Sequence, residues 1–166
     1  KLNYYFITLF VFGNSIDKYR GTWASLFTTL FLFILIHGIK IPILIIFLSL
    51  LLILLYSFYA IKSCLNNFKD DDPQEIVIDE FLGQSIPIIL YEIFHPNEAN
   101  TMQETLQIYF WFFLLFRVFD GLKPFPIDYI DRKYKNTFGI LFDDILAGFY
   151  VVICLVLFMV GKTFFN

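Results

Sequence analysis

Residues 41–61 form an apolar run without a single charged side chain. About 20 such residues let a helix cross the hydrocarbon core of a bilayer. A backbone in lipid must satisfy its own hydrogen bonds, so only helices or closed barrels can span. The rest of the chain has the same character. Its 166 residues are 58% hydrophobic and 16% charged, against about 45–50% and about 25% in soluble domains. The expectation is an all-α integral membrane helical bundle, with residues 1–166 forming one membrane-embedded domain. A net charge of −3 and scattered Lys and Arg leave no basic stripe, which argues against a nucleic-acid partner. Runs such as Phe110-Trp111-Phe112-Phe113 read as lipid-facing or core, not as a base-stacking platform. Cys64 and Cys154 adjoin apolar runs and form no Cys-x-x-Cys, so they read as reduced, packed thiols.

Residues 2–12 are apolar but too short to span, and read as an N-terminal interfacial or packed helix. No short apolar core followed by a small-residue cleavage site opens the chain, so the first span is expected to act as its own insertion signal. Residues 22–36 and 41–61 make a helical hairpin about His37-Gly38-Ile39-Lys40. Residues 75–94 begin amphipathic and end apolar, with Pro87 inside, as a kinked helix would. With 105–119 and 140–160 this gives about four to five membrane-embedded helices. Residues 95–104 and 120–138 read as polar loops, and His37 and His95 as isolated loop residues. If 75–94 and 105–119 both cross, Lys18, Arg20, Lys62, Lys69, Lys123, Arg132, Lys133 and Lys135 share one side. The positive-inside rule makes that side cytoplasmic.

Ionisable residues inside membrane segments are costly, about 2.5–3.5 kcal/mol each at helix centre, and are functional candidates by default. Two acidic clusters stand out. The first is Asp70-Asp71-Asp72-Pro73-Gln74-Glu75-Ile76-Val77-Ile78-Asp79-Glu80. Pro73 suits the first turn of a helix capped by Asp72. Glu75 and Asp79 would then share a face. The second is Asp143-Asp144, three to four residues into the last apolar run, or about 5 Å below its start. Gly148, one turn beyond Asp144, leaves room for a partner helix or a ligand. Two adjacent carboxylates are most easily explained by a cation between helices. Between the clusters lie Arg117, Asp120 and Lys123. Arg117 and Asp120 are one turn apart and read either as an ion pair or as a phosphate-holding arginine with its orienting partner. Lys123-Pro124-Phe125-Pro126 is a stiff loop that would fix the lysine's direction. Together these residues point to a metal site handling a phosphorylated lipid.

Three blocks in this order resemble the phosphatidylglycerophosphatase A family. They are Asp71-Asp72-Pro73-Gln74 through Asp79-Glu80-Phe81-Leu82-Gly83-Gln84, then Phe116-Arg117-Val118-Phe119-Asp120-Gly121-Leu122-Lys123-Pro124-Phe125-Pro126-Ile127, then Gly139-Ile140-Leu141-Phe142-Asp143-Asp144-Ile145-Leu146-Ala147-Gly148-Phe149-Tyr150. The family's Pro- and Gly-rich stretch before the first span is reduced here to Gly21-Thr22. The resemblance implies hydrolysis of the terminal phosphomonoester of phosphatidylglycerophosphate, with Mg2+ as cofactor and a phospholipid substrate in a bacterial inner membrane. It implies metal binding by Asp72, Asp79, Glu80, Asp143 and Asp144, and phosphate binding by Arg117 and Lys123. Catalytic roles would fall to Asp79, Asp143 and Asp144, with Asp120 either orienting Arg117 or acting as general acid and base. Water and an aspartyl nucleophile both remain open.

Other phosphate chemistries fit less well. Cys-x5-Arg fails, because Asp70 and Val160 stand where the arginine would. Asp-x-Asp-x-Thr/Val fails at Gln74. A CDP-alcohol phosphatidyltransferase needs Asp-Gly-x-x-Ala-Arg and Gly-x-x-x-Asp-x-x-x-Asp. Here Asp120-Gly121 leads to Lys123-Pro124, and Ala147 replaces the last aspartate. A cation transporter or scaffold would need carboxylates along a path through the bilayer, whereas these gather at one face.

Overall fold

In the computed structural model the described residues are 1–10, 19–65, 68, 73–95 and 101–165, with side chains as far as 161. Among them there are helices and no strands. We number these α1 (Leu2–Ile7), α2 (Arg20–Phe33, continued by a π-helical turn over Ile34–Gly38), α3 (Ile43–Leu65), α4 (Ile78–Phe94), α5 (Met102–Leu122), α6 (Ile127–Lys133) and α7 (Thr137–Phe165). Four of the described segments are long and apolar enough to cross a membrane: Arg20–Gly38, Ile43–Leu65, Met102–Leu122 and Thr137–Gly161. The protein is thus a helical membrane bundle, as its composition requires. The outer face of α3 (Leu44, Ile45, Leu48, Leu52 and Leu55) is exposed and forms the apolar surface that lipid would cover.

The remaining long helix, α4, has 17 residues with Pro87 inside. It carries Asp79, Glu80, Gln84 and Glu92, too many polar groups to stand alone in lipid. The bundle solves this by enclosure. α4 packs most extensively on α7 and also on α2, α3 and α5. Two apolar clusters share it. One joins Ile78, Phe81 and Leu82 to Ile61, Ile140 and Leu141. The other joins Ile88 and Ile89 to Leu32, Phe112, Phe116 and Val151. α2, α4 and α7 begin at one end of the bundle, where α3 and α5 finish. At the other end His37, Glu92 and Tyr109 meet, so α4 runs the full depth.

Local chemistry sets the helix limits. Thr101 and Glu104 form a reciprocal capping box that starts α5, with the Thr101 N–H donating to Glu104 Oε2 at 2.7 Å. Lys123 ends α5 in the left-handed region at φ 44, the conformation that turns a chain out of a helix. Asn136 Oδ1 accepts from the Phe138 and Gly139 N–H groups at 3.0 and 3.1 Å and so starts α7.

Three sequence expectations are corrected. Pro73 does not open a helix; α4 starts at Ile78, because Ile76 and Val77 are buried and the Val77 N–H donates to the Ile7 carbonyl at 3.0 Å. Glu75 therefore lies outside α4 and pairs with Arg20 at 3.5 Å, not with the Asp79 face. Residues 120–138 are not all loop, since they hold α6, whose Ile127 is fully buried. Finally, α7 begins at Thr137, which sets Asp143 and Asp144 about 9–10 Å along the helix, deeper than the expected 5 Å.

Candidate active site

The site exists because two helices touch through glycine. A Cβ added to Gly83 would lie 2.5 Å from the Asp144 carbonyl oxygen and 2.8 Å from the Phe116 ring. A Cβ on Gly148 would collide with the Gly83 carbonyl and reach 3.1 Å from Ile86 Cβ. α4 and α7 therefore cross backbone to backbone, as small residues allow in membranes. Asp79 stands one turn before Gly83, and Asp144 one turn before Gly148. The crossing delivers both carboxylates to the same place. A third close approach adds α2, where a Cβ on Gly21 would overlap the Glu80 carboxylate and lie 3.2 Å from Arg117 Nη1.

One carboxylate oxygen from each of Asp79, Glu80 and Asp144 falls within 4.8 Å of the others. Asp79 and Asp144 are 8% and 5% exposed. The Glu80 N–H donates to Asp79 Oδ1 at 2.9 Å, and the Asp144 N–H to Asp143 Oδ1 at 3.0 Å. Glu80 Oε2 is buried and has no hydrogen-bond partner. Three clustered carboxylates with an orphaned oxygen call for positive charge among them. The donor set is oxygen only, the chemistry preferred by magnesium.

Cations line the opposite wall. Arg117 Nη1 pairs with Asp120 Oδ2 at 2.8 Å and approaches Ser25 Oγ at 3.5 Å. Lys123 Nζ bridges Asp143 Oδ2 at 2.9 Å and Asp131 Oδ1 at 3.0 Å. Burial alone would lower the Lys123 pKa, but the Asp143 and Asp131 carboxylates outweigh it and hold the ammonium above its ordinary value. Partial burial would raise Asp131, but Lys123 and Lys135 hold it below the usual carboxylate range. The polar cavity enclosed by these groups has a volume of about 280 Å³ and is also lined by Arg20, Gly21, Pro73, Gln74, Ile76 and Ile140.

The model of one protein family, phosphatidylglycerophosphatase A, matches residues 5–159. The chain belongs to that family. It is 38% identical over 143 residues to a phosphatidylglycerophosphatase A of Haemophilus influenzae, covering 86% of this chain and 80% of that protein. It is 32% identical over 90 residues to the phosphatidylglycerophosphatase A of Escherichia coli, covering 54% of this chain and 45% of that one. A Bacteroides thetaiotaomicron protein provisionally named a phosphatidylinositol-3-phosphatase is 30% identical over 105 residues, covering 60% of this chain and 58% of that one. No solved structure matches. Membership makes the protein a lipid phosphatase.

Seven of the eight residues singled out from sequence come together: Asp79, Glu80, Arg117, Asp120, Lys123, Asp143 and Asp144 all line one cavity. Asp72 lies outside the described residues, as do Asp70 and Asp71. Asp143 is held by Lys123, whereas Asp79, Glu80 and Asp144 make the compact trio. Sequence reasoning missed Arg20 and Gly21 as site residues, and Asp131 as the second anchor of Lys123. Gly21 carried a signal, since it is what remains of the family's glycine-rich lead. Asp131 carried none, because α6 was not foreseen. Gln84 was also missed. It lies one turn below Glu80, fully buried, and both its amide atoms lack partners.

Proposed function

We propose that this protein hydrolyses the terminal phosphomonoester of phosphatidylglycerophosphate, releasing phosphatidylglycerol and phosphate, at the cytoplasmic face of a bacterial inner membrane. The observation that carries the reading is the oxygen trio of Asp79, Glu80 and Asp144 facing Arg117 across one cavity. Support for the substrate comes from the family and from the names of the Haemophilus influenzae and Escherichia coli relatives. Support for the cytoplasmic face comes from the excess of Lys and Arg at the site end. The family assignment favours hydrolysis over phosphatidyl transfer or ion transport.

Magnesium fits the residues present: Asp79, Glu80 and Asp144 would hold it, and it would polarise the phosphoryl oxygens and offset their charge. Arg117 would turn part of its fork from Asp120 to two phosphate oxygens. Asp120 keeps that guanidinium aimed into the cavity, and Lys123 neutralises Asp143 at the cavity wall. In the hydrolytic route a water oxygen bonds to phosphorus as the ester P–O bond breaks. Its proton passes to a cavity carboxylate, which hands it on to the departing glycerol oxygen, so that the alcohol leaves neutral. In the alternative route an aspartate oxygen attacks first and water then cleaves the acyl phosphate.

The test is phosphate release from phosphatidylglycerophosphate in detergent micelles, with magnesium or with a chelator, for wild type, Asp79→Asn and Asp144→Asn. Magnesium-dependent release that disappears in both variants supports one site built from α4 and α7. No release by well-folded wild type, with release from phosphatidylinositol-3-phosphate instead, would move the substrate assignment to the latter.

A further inference from the structure

Besides the charged cavity, the bundle has a wide apolar groove between α2 and α5, with a volume of about 630 Å³, walled by Leu26, Thr29 and Leu30 on one side and Leu106, Phe110 and Phe113 on the other. We infer that this groove receives a fatty-acyl chain of the lipid whose phosphate sits in the charged cavity above it. The inference rests on the lipid-phosphatase reading of that cavity and names where the apolar part of the substrate goes.

Three observations favour this occupant. The first is continuity. Arg117, Phe113, Phe110 and Leu106 fall at spacings of four, three and four on α5, so the groove wall is the helix face that carries the phosphate-facing arginine. Arg117 Nη1 reaches 3.5 Å from Ser25 Oγ, which closes the α2–α5 seam just above the groove. The second is depth. Phe113 lies about 6 Å and Leu106 about 16 Å below Arg117 along the helix, and Leu26 and Leu30 about 8 and 14 Å below Gly21. One leaflet's hydrocarbon is about 15 Å deep, half of the full core. A lipid whose phosphate stands at Arg117 therefore has its chains at groove level.

The third is charge. The cations of the cavity, Arg20, Arg117 and Lys123, stand on α2, on α5 and at the end of α5. The phosphate is drawn to that side, and its chains descend along the same helices. A second apolar groove, about 260 Å³, lies between α3, α4 and α7, and none of the three cavity cations stands on those helices. The α2–α5 groove has two polar lining residues: Thr29, whose hydroxyl already donates to the Ser25 carbonyl at 2.9 Å, and Gln107, which is exposed. Leu30 and Phe110 are 46% and 51% exposed, so no described part of the chain covers it.

The experiment compares two phosphomonoester lipids, one long-chain and one with acyl groups too short to pass Ser25, in mixed micelles. Leu30→Trp and Leu26→Trp fill the groove. Leu52→Trp, on the exposed face of α3, is the control. The expected result is a KM raised about tenfold for the long-chain lipid alone, the scale on which small packing changes act in apolar pockets. kcat and short-chain hydrolysis stay as in wild type, and Leu52→Trp changes neither substrate. Equal effects on both lipids, or none on either, overturn the groove assignment while the phosphatase reading stands. An activity-independent arm uses a phospholipid with a photoreactive acyl terminus. Cross-links concentrated on residues 26–30 and 106–113 support the groove even if neither lipid is hydrolysed. Cross-links spread evenly over α3 overturn it.

Discussion

The two ends of this bundle bury polar groups in opposite ways. At the far end, Glu92 Oε1 accepts from the Tyr109 hydroxyl at 2.8 Å and meets His37 Nε2 at 3.2 Å. Tyr109 is fully buried and packs edge-on to Phe33 and His37. The members of that triad answer one another and tie α2, α4 and α5 together. At the site end, three carboxylates crowd within 4.8 Å, and Glu80 Oε2 and the Gln84 amide are left without partners. A buried polar group that is satisfied contributes to the fold, whereas one left open costs stability. The far end therefore reads as a clamp, and the site end as a place whose missing interactions a ligand supplies.

The largest test of that contrast is Asp144→Asn. It is expected to lower kcat by at least about a hundredfold, the scale of losing a preorganised electrostatic group. Thermal unfolding without metal should stay level or rise, since a like charge is removed. A marked loss of stability would mean that the trio is structural after all. Next comes Gly83→Val, which forces α4 and α7 apart at a point where even a Cβ has no room. Activity should fall with a stability loss of about 1–3 kcal/mol, read by denaturant titration in micelles.

Lys123→Met is expected to cost about tenfold in activity, in line with loss of a supporting partner. Because the Lys123 pKa is raised, its ion pairs are fully present below the ordinary lysine value and fade only as pH climbs through the higher folded one. Wild type should thus keep this contribution across neutral pH, and the gap between wild type and variant should narrow only on the alkaline side, as the wild-type ammonium loses its proton. The smallest effect belongs to Tyr109→Phe, with about 1 kcal/mol of stability lost and kcat within twofold of wild type, about the scatter of such comparisons. A large drop in kcat there would break the division between clamp and site.

Much of the site was legible in the sequence because charge is conspicuous against lipid. Asp79, Glu80, Asp143 and Asp144 drew attention as carboxylates beside apolar runs, and Gly148 drew it as a gap for a neighbour. The partner that fills the gap, Gly83, could not be read from one strand of text, since a crossing needs two helices in register. The helix starts were misjudged where β-branched burial or a single side-chain cap decides. Ile76 and Val77 delayed α4, and Asn136 advanced α7. The far-end clamp was invisible for a related reason. His37, Glu92 and Tyr109 lie in three separate segments, and His37 taken alone looks like an ordinary loop residue.

The enclosure of α4 also bears on how the protein is made. This helix bears two carboxylates at its start, Gln84 one turn on and Glu92 near its end, so it partitions poorly into a bilayer by itself. The hairpin of α2 and α3 emerges from the ribosome before it, and α5 follows as its next neighbour. α7, the most extensive partner of α4, is translated after α2, α3 and α5 and brings both Asp144 and the glycine on which the crossing depends. The acidic cluster is thus a late product of membrane insertion. A chain halted before α7 would hold Asp79 and Glu80 without Asp144, half of an acidic cluster with nothing to close it.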